Sequence, residues 1–231
     1  MWAAPALDLE ARLLHRDGLI LVLDKPAGIP VHAGPGGGDN LEAHFDRLRF
    51  GLPQPPGLGH RLDRDTSGCL VLGRHRKALA KLGRLFQEGR VEKVYWAVVQ
   101  GAPPAESGRI EQPLLKKTNR TGGWRMVIDP AGQEAVTEWR VLGRHEGRAW
   151  MEFRPRTGRT HQIRVHAAWL GCPLVGDPMY GGPEGAPLML HARAITVPMQ
   201  QSKPPVHVEA PPPPAMLAVL AGFGYFTSSE T

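Results

Sequence analysis

Residues 51–74 read GLPQPPGLGHRLDRDTSGCLVLGR. A Pro/Gly-rich loop, 51–59, leads into the polar, turn-rich segment His60-Arg61-Leu62-Asp63-Arg64-Asp65-Thr66-Ser67-Gly68. That segment runs into the apolar stretch 69–72, which has the length and content of a buried strand. Charged side chains packed beside a strand end are where enzymes place reactive groups. Asp63 sits in sequence among His60, Arg61 and Arg64. An ionised aspartate can act as nucleophile or as base, and a loop aspartate in a surface salt bridge is the plainer reading of the same spacing.

Working outward towards the N-terminus, GLILVLDKPAG (18–28) reads as a buried strand stopped by Pro26 and Gly28. GPGGGDN (34–40) lacks the Gly-Lys-Ser/Thr ending of a phosphate loop and reads as a flexible connection. Asn40 is placed to cap a short helix with Leu41, Phe45 and Leu48 on its apolar face. In the other direction, the spacing predicts a helix over 77–88, with Leu79, Leu82, Leu85 and Phe86 on one face and Gly89 as its stop. VYWAVVQG (94–101) reads as a strand, and the period of two puts Lys93 and Tyr95 on one side of it. A strand tyrosine is usually core, but it can also stack on a base drawn out of its helix.

The stretch 102–132 is poorly patterned and implies short strands and loops. Segments 135–142 and 149–155 read as a strand pair around His145-Glu146-Gly147. A helix is expected after Thr160, capped by that residue, with Ile163, Ala167 and Leu170 facing the core and its end at Gly171. Residues 188–198 read as a late strand, and four prolines in the tail 209–231 precede an apolar stretch suited to a short helix. Strands mixed with a few helices, without regular β-α-β alternation, imply an α+β fold.

A second candidate site lies in Arg156-Thr157-Gly158-Arg159-Thr160-His161-Gln162-Ile163-Arg164-Val165-His166. Backbone N–H groups at a helix start suit phosphate, and Arg164, one turn inside, is placed to reach an acid across a cleft. A solvated basic helix face fits the same residues. His161 and His166 stand about 140° apart on a helix, so they do not share a face as a zinc pair would. Thr66-Ser67-Gly68 does not supply the Gly-x-Ser-x-Gly of a serine hydrolase.

The chain has 231 residues, 42% of them hydrophobic, enough to bury a core in one large domain or two small ones. The longest clean apolar run near the start, 19–23, is far too short to cross a bilayer. The opening MWAAPALDLEAR carries acids where a signal peptide has a basic start and an apolar run. A cytoplasmic location is the expectation, with no membrane partner. Cys69 and Cys172 lie in no C-x-x-C motif and read as small buried hydrophobes. The net charge of +6 and the pI of about 9.7 point to a polyanionic partner: RNA, DNA or a membrane surface. The cations lie inside patterned segments such as RHRKALAKLGR (74–84) and RPRTGRTHQIRVH (154–166), so the basic surface is a folded one.

HRLDRDTSG (60–68), KVYWA (93–97), RTHQIRVH (159–166) and LMLHA (188–192) stand in the order of the motifs of the RluA family of RNA pseudouridine synthases, which the chain resembles over about residues 13–198. DKPAGIPVH (24–32) is similar to that family's first motif. The resemblance implies a pseudouridine synthase fold: one catalytic domain, 1–231, on a long mixed, mostly antiparallel sheet with flanking helices and a central active-site cleft, the tail 209–231 being peripheral. It implies that Asp63 is the catalytic aspartate, that Tyr95 packs against the target base, and that Arg164 pairs with the catalytic carboxylate. His60, Arg61, Lys93, Arg159 and His161 are expected near the RNA, while Asp65 falls on a variable position. With about a dozen residues before the first strand, no S4-type RNA-binding domain is expected. The implied reaction isomerises uridine in ribosomal or transfer RNA without cofactor or metal, and the expected enzyme is a monomer with no obligate protein partner.

Overall fold

The structure, a computed structural model, describes residues 7–34, 37–118 and 122–226. In chain order the elements are β1 (Leu13–Arg16), β2 (Ile20–Lys25), a 3-10 helix (Leu41–Leu48), β3 (Gly57–Leu58), β4 (Ser67–Gly73), α1 (Arg76–Gln87) and β5 (Glu92–Gln100). There follow β6 (Ser107–Ile110), β7 (Leu114–Thr118), β8 (Trp124–Ile128), β9 (Thr137–His145), β10 (Arg148–Pro155) and α2 (Gln162–Trp169). The last are β11 (Leu190–Val197), β12 (Val206–Glu209) and α3 (Pro214–Leu220). The class is α+β, a large mixed sheet with few helices, as the sequence implies. The chain divides into two compact units: residues up to Val91 together with Thr196–Ala210, and Glu92–Ile195 together with the chain from Pro211.

In the first unit, β2 lies between β1 and β4, antiparallel to both, with Leu21 opposite Leu72 and Lys25 opposite Gly68. Nearly all of β2 and all of β4 are buried, which is why they read as continuous apolar runs rather than alternating ones. Asn40 caps the 3-10 helix, accepting from the Ala43 N–H at 3.2 Å, and Leu41, Phe45 and Leu48 are its buried residues. Pro35 and Gly36, part of the glycine-rich connection, lie outside the described residues. Helix α1 buries Ala78, Leu82 and Leu85. Its cap is His75, whose Nδ1 accepts from the Ala78 N–H at 3.2 Å.

The second unit is built on β5, β10, β9 and β6, each antiparallel to the next. Glu146 and Gly147, with φ of 46° and 71°, make the two-residue turn between β9 and β10. Positive φ at both central positions matches the right-handed strand twist. Alternation along β5 divides its side chains between two clusters. Tyr95, Ala97 and Val99 meet Phe153, Ile163 and Ala167, the last two from α2. Trp96 and Val98 meet Met216 and Leu220 of α3. The strands β7 and β8 form a separate two-stranded ribbon, Leu114 opposite Ile128.

Helix α2 departs from expectation at its start. Thr160 is not its cap. The first flanking residue is His161, in the left-handed region at φ 55° and without a side-chain capping bond. Such a backbone is uncommon for a residue other than glycine and persists only where its surroundings hold it. Ile163 and Ala167 are buried as expected, Leu170 is half-buried, and Gly171, at φ 77°, ends the helix.

Candidate active site

In the first unit, the polar segment 59–66 is a loop fixed at several points. The Gly59 N–H donates to the Val71 carbonyl at 2.9 Å, and the Val71 N–H donates to His60 Nε2 at 3.0 Å. The His60 ring lies 4.8 Å from the Phe86 ring of α1. Leu62 is a buried anchor, and the Thr66 N–H closes a turn on the Asp63 carbonyl at 3.2 Å. Gly68, the second residue of β4, has φ 103°, a conformation strained for a side-chain-bearing residue. Asp63 is half-buried at the loop's centre, with Arg61 and Arg64 exposed on either side. Asp65 forms an exposed ion pair with Arg64 at 3.1 Å.

The main fixture of this loop is a residue that the motifs did not mark as functional. Lys25, the last residue of β2, is 0% exposed. Its Nζ donates to the carbonyls of Pro26 and Arg64 at 2.8 Å each and to that of Thr66 at 2.9 Å. An ammonium has three donors, and here each has an acceptor. Burial pushes the Lys25 amine down to about 8, while the charges of Asp65 and Asp63 act in the opposite direction. The signal was present in the sequence as a lysine closing an apolar run beside Pro26.

In the second unit, Tyr95 and Lys93 project from β5. Tyr95 is partly buried against the cluster that contains Ile163, Ala97 and Phe153. Lys93 donates to the Thr157 carbonyl at 2.9 Å, and burial pushes its amine down to about 8. Its nitrogen therefore braces the segment that leads to α2. Gln162, 4% exposed, staples the same segment. Its Oε1 accepts from the Thr157 hydroxyl at 2.7 Å and the Arg159 N–H at 3.0 Å, and its Nε2 donates to the Val136 carbonyl and the Thr137 hydroxyl at 2.9 Å each. Arg159 is exposed and donates from Nε to the Glu134 carbonyl at 3.0 Å.

Arg164 makes a two-pronged pair with Asp177, Nε to Oδ2 and a terminal nitrogen to Oδ1, both at 2.7 Å. The two side chains are 12% and 1% exposed. The guanidinium carbon stands 5.0 Å from the centre of the Tyr180 ring. The Tyr180 hydroxyl meets His161 Nδ1 at 2.8 Å and accepts from the Met126 N–H at 3.1 Å. His161 in turn stacks on Trp124 at 5.2 Å. The strained backbone at His161 is thus held by ring contacts and a hydrogen bond. His166 points away from this group: its Nε2 lies 3.0 Å from the Gln112 carbonyl and its Nδ1 2.8 Å from the Thr137 hydroxyl. Asp177 and Tyr180 carry no local motif, so only the folded chain reveals them as partners of Arg164 and His161.

The α+β framework carries Asp63 on a mounted loop in its first unit and Arg164 near the start of α2 in its second. Residues 19–169 match the family model described as RNA pseudouridylate synthase. An uncharacterized RNA pseudouridine synthase of Zymomonas mobilis is 45% identical over 90% of this chain and 96% of its own length. The ribosomal large subunit pseudouridine synthase D of Pseudomonas aeruginosa is 39% identical over 77% of this chain, which spans 55% of that relative. The solved structure of human RNA pseudouridylate synthase domain containing 4 superposes with a TM-score of 0.80 at 27% identity, covering 94% of each chain. The chain belongs to the RNA pseudouridine synthases of the RluA type, which are isomerases.

Proposed function

We propose that this enzyme converts specific uridines of ribosomal or transfer RNA to pseudouridine, with Asp63 as the catalytic carboxylate. The observation that carries the reading is the mounting of Asp63: a half-buried side chain on a loop whose carbonyls at Arg64 and Thr66 are tied to one buried ammonium. A group held in this way keeps its aim when a flexible RNA arrives. The large-subunit name of the Pseudomonas relative favours ribosomal RNA as the first substrate to test.

The isomerisation breaks the N1–C1′ bond, turns the uracil and forms a C5–C1′ bond, with the C5 proton released and a proton taken up at N1. No electrons are gained or lost. Asp63 can act by attack at C6 of the base, by attack at C1′ of the sugar, or by removing the 2′ proton. All three routes need a carboxylate beside a nucleotide taken out of its stack. Arg164 serves as the arginine of the catalytic carboxylate, and Tyr95 as the ring against which the detached uracil turns. His60, Arg61, Lys93, Arg159 and His161 belong to the RNA-facing segments, Lys93 and His60 chiefly by holding those segments in shape. The reading takes the enzyme as a cytoplasmic monomer.

The test is tritium release from RNA labelled at uridine C5, using large-subunit ribosomal RNA and transfer RNA transcripts. Asp63→Asn is expected to abolish release and to keep RNA binding. Normal turnover by that variant overturns the assignment. Appearance of free uracil would instead make the enzyme a glycosidic hydrolase.

A further inference from the structure

Helix α1 carries Arg76, Lys77, Lys81 and Arg84 and no acidic residue. At about 100° per residue, Lys77, Lys81 and Arg84 fall within about 60° of one another, and Arg76 lies on the same half of the helix. The buried residues Ala78, Leu82 and Leu85 occupy the other half. Arg76, Lys77 and Arg84 are exposed and Lys81 is half-buried.

Two features separate this face from an ordinary solvated one. The first is pairing. Of the eight arginines of the first unit outside α1, four are matched with acids: Arg12 with Asp24, Arg49 with Asp46, Arg64 with Asp65 and Arg90 with Glu88. The other four, Arg16, Arg47, Arg61 and Arg74, stand on separate elements and loops. Among the described residues, no carboxylate pairs with any of the four α1 cations. The second is position. The first turn of α1 holds Arg76 and Lys77 and no acid, although the positive end of the helix dipole favours the opposite sign. Local choices that work against the fold's own stability mark functional positions. The helix also touches the mount of the candidate aspartate, through the ring contact of Phe86 with His60.

We propose that this face of α1 is a docking stripe for the phosphate backbone of the substrate RNA, outside the nucleotide that reacts. It recognises phosphodiester charge and not base identity, since exposed lysine and arginine heads without a shaped pocket position a duplex or strand without reading it. The inference rests on the reading that the enzyme acts on RNA, but not on the role of Asp63.

The experiment compares the whole chain with its fourfold variant R76Q/K77Q/K81Q/R84Q, in which glutamine keeps the helix propensity. Binding to a transcribed large-subunit ribosomal RNA fragment is measured across salt concentration, and tritium release across RNA concentration. The expected result is a log K against log salt slope shallower by about 3, at roughly 0.7–0.9 per lost phosphate contact. KM should rise at least about tenfold, with kcat at saturating RNA unchanged. If the fourfold variant melts early, the double variants R76Q/K81Q and K77Q/R84Q should each remove about half of that slope. An unchanged slope and KM overturn the proposal. So does binding of wild-type enzyme to phosphatidylserine vesicles that the variant loses while its RNA slope stays intact. Failure of Asp63→Asn to stop tritium release would sink the catalytic assignment and leave this slope to be read independently.

Discussion

The Nζ of Lys25 donates to the carbonyl oxygen of Arg64 at 2.8 Å, so the residue that follows Asp63 is fastened to the end of β2. Lys25→Met keeps a comparable stem and removes all three donors. Each buried carbonyl left unsatisfied costs about 1–3 kcal/mol. The Arg64 carbonyl keeps the Gly28 N–H at 3.0 Å. The carbonyls of Pro26 and Thr66 lose this donor, so the variant should lose about 2–6 kcal/mol of stability in a urea titration. Its kcat in the tritium assay should fall at least about tenfold, with a smaller change in KM, because a loosened Asp63 loses aim more than the protein loses RNA affinity. Wild-type kcat in Lys25→Met would remove the lysine from the mount.

Asp177 and Arg164 form a nearly buried two-pronged pair. Asp177→Asn takes the carboxylate charge out of this two-pronged pair, and hydrogen bonds to a charged group contribute about 1.5–3 kcal/mol. The variant should therefore lose about that amount of stability, read as a lowered urea midpoint. Arg164→Lys keeps the charge but loses the planar fork. It should lower kcat well beyond its effect on RNA affinity, measured by comparing tritium release with filter binding. Full turnover in Arg164→Lys would mean that a point charge suffices there.

Gln162 both accepts and donates at the start of α2. In Gln162→Glu the carboxylate still accepts from Thr157 and Arg159 but cannot donate to the Val136 carbonyl. A loss of about 2–3 kcal/mol is expected at neutral pH. Part of it should return as the pH is lowered and the acid regains a donor proton. Chemical denaturation at pH 7.5 and 5 distinguishes this from a simple loss of packing, which would not recover.

His166 is fully buried, and burial pushes its imidazole below 6.5, with the Gln112 carbonyl acting in the opposite direction. The unfolded chain then takes up this proton more readily than the native one. Stability from this residue is complete above about pH 6.5 and declines as the pH falls from there towards the native value, by at most about 1.4 kcal/mol per pH unit. His166→Gln should flatten that part of the stability profile between pH 7.5 and 5. An unaltered profile would show that His166 titrates alike in both states.

Elements governed by local pattern were legible in the chain. The buried runs of β2 and β4, the three core positions after Asn40 and the glycine that ends α2 all follow from short-range rules. The start of α2 was not legible, because Thr160 competes for the cap only until tertiary partners are counted. Tyr180 and Trp124 hold His161, and Gln162 takes the Thr157 hydroxyl and the Arg159 N–H, which fixes the approach to the helix without Thr160. In the same way Asp63 announced itself by its motif, whereas Asp177 sits in an unremarkable stretch and gains meaning only from Arg164, thirteen residues earlier. Lys25 stood inside a quoted motif, yet a lysine suggests a surface until its three carbonyl partners are seen.

The polypeptide passes between its two compact units at 91/92, 195/196 and 210/211. The first unit therefore closes only when Thr196–Ala210 arrives to set the Val208 carbonyl 3.6 Å from the Cys69 sulfur. During synthesis the aspartate-bearing half must wait, unfinished, for nearly the whole chain to emerge. A fragment cut after residue 91 would lack Thr196–Ala210, so the first unit is not a contiguous piece of the chain.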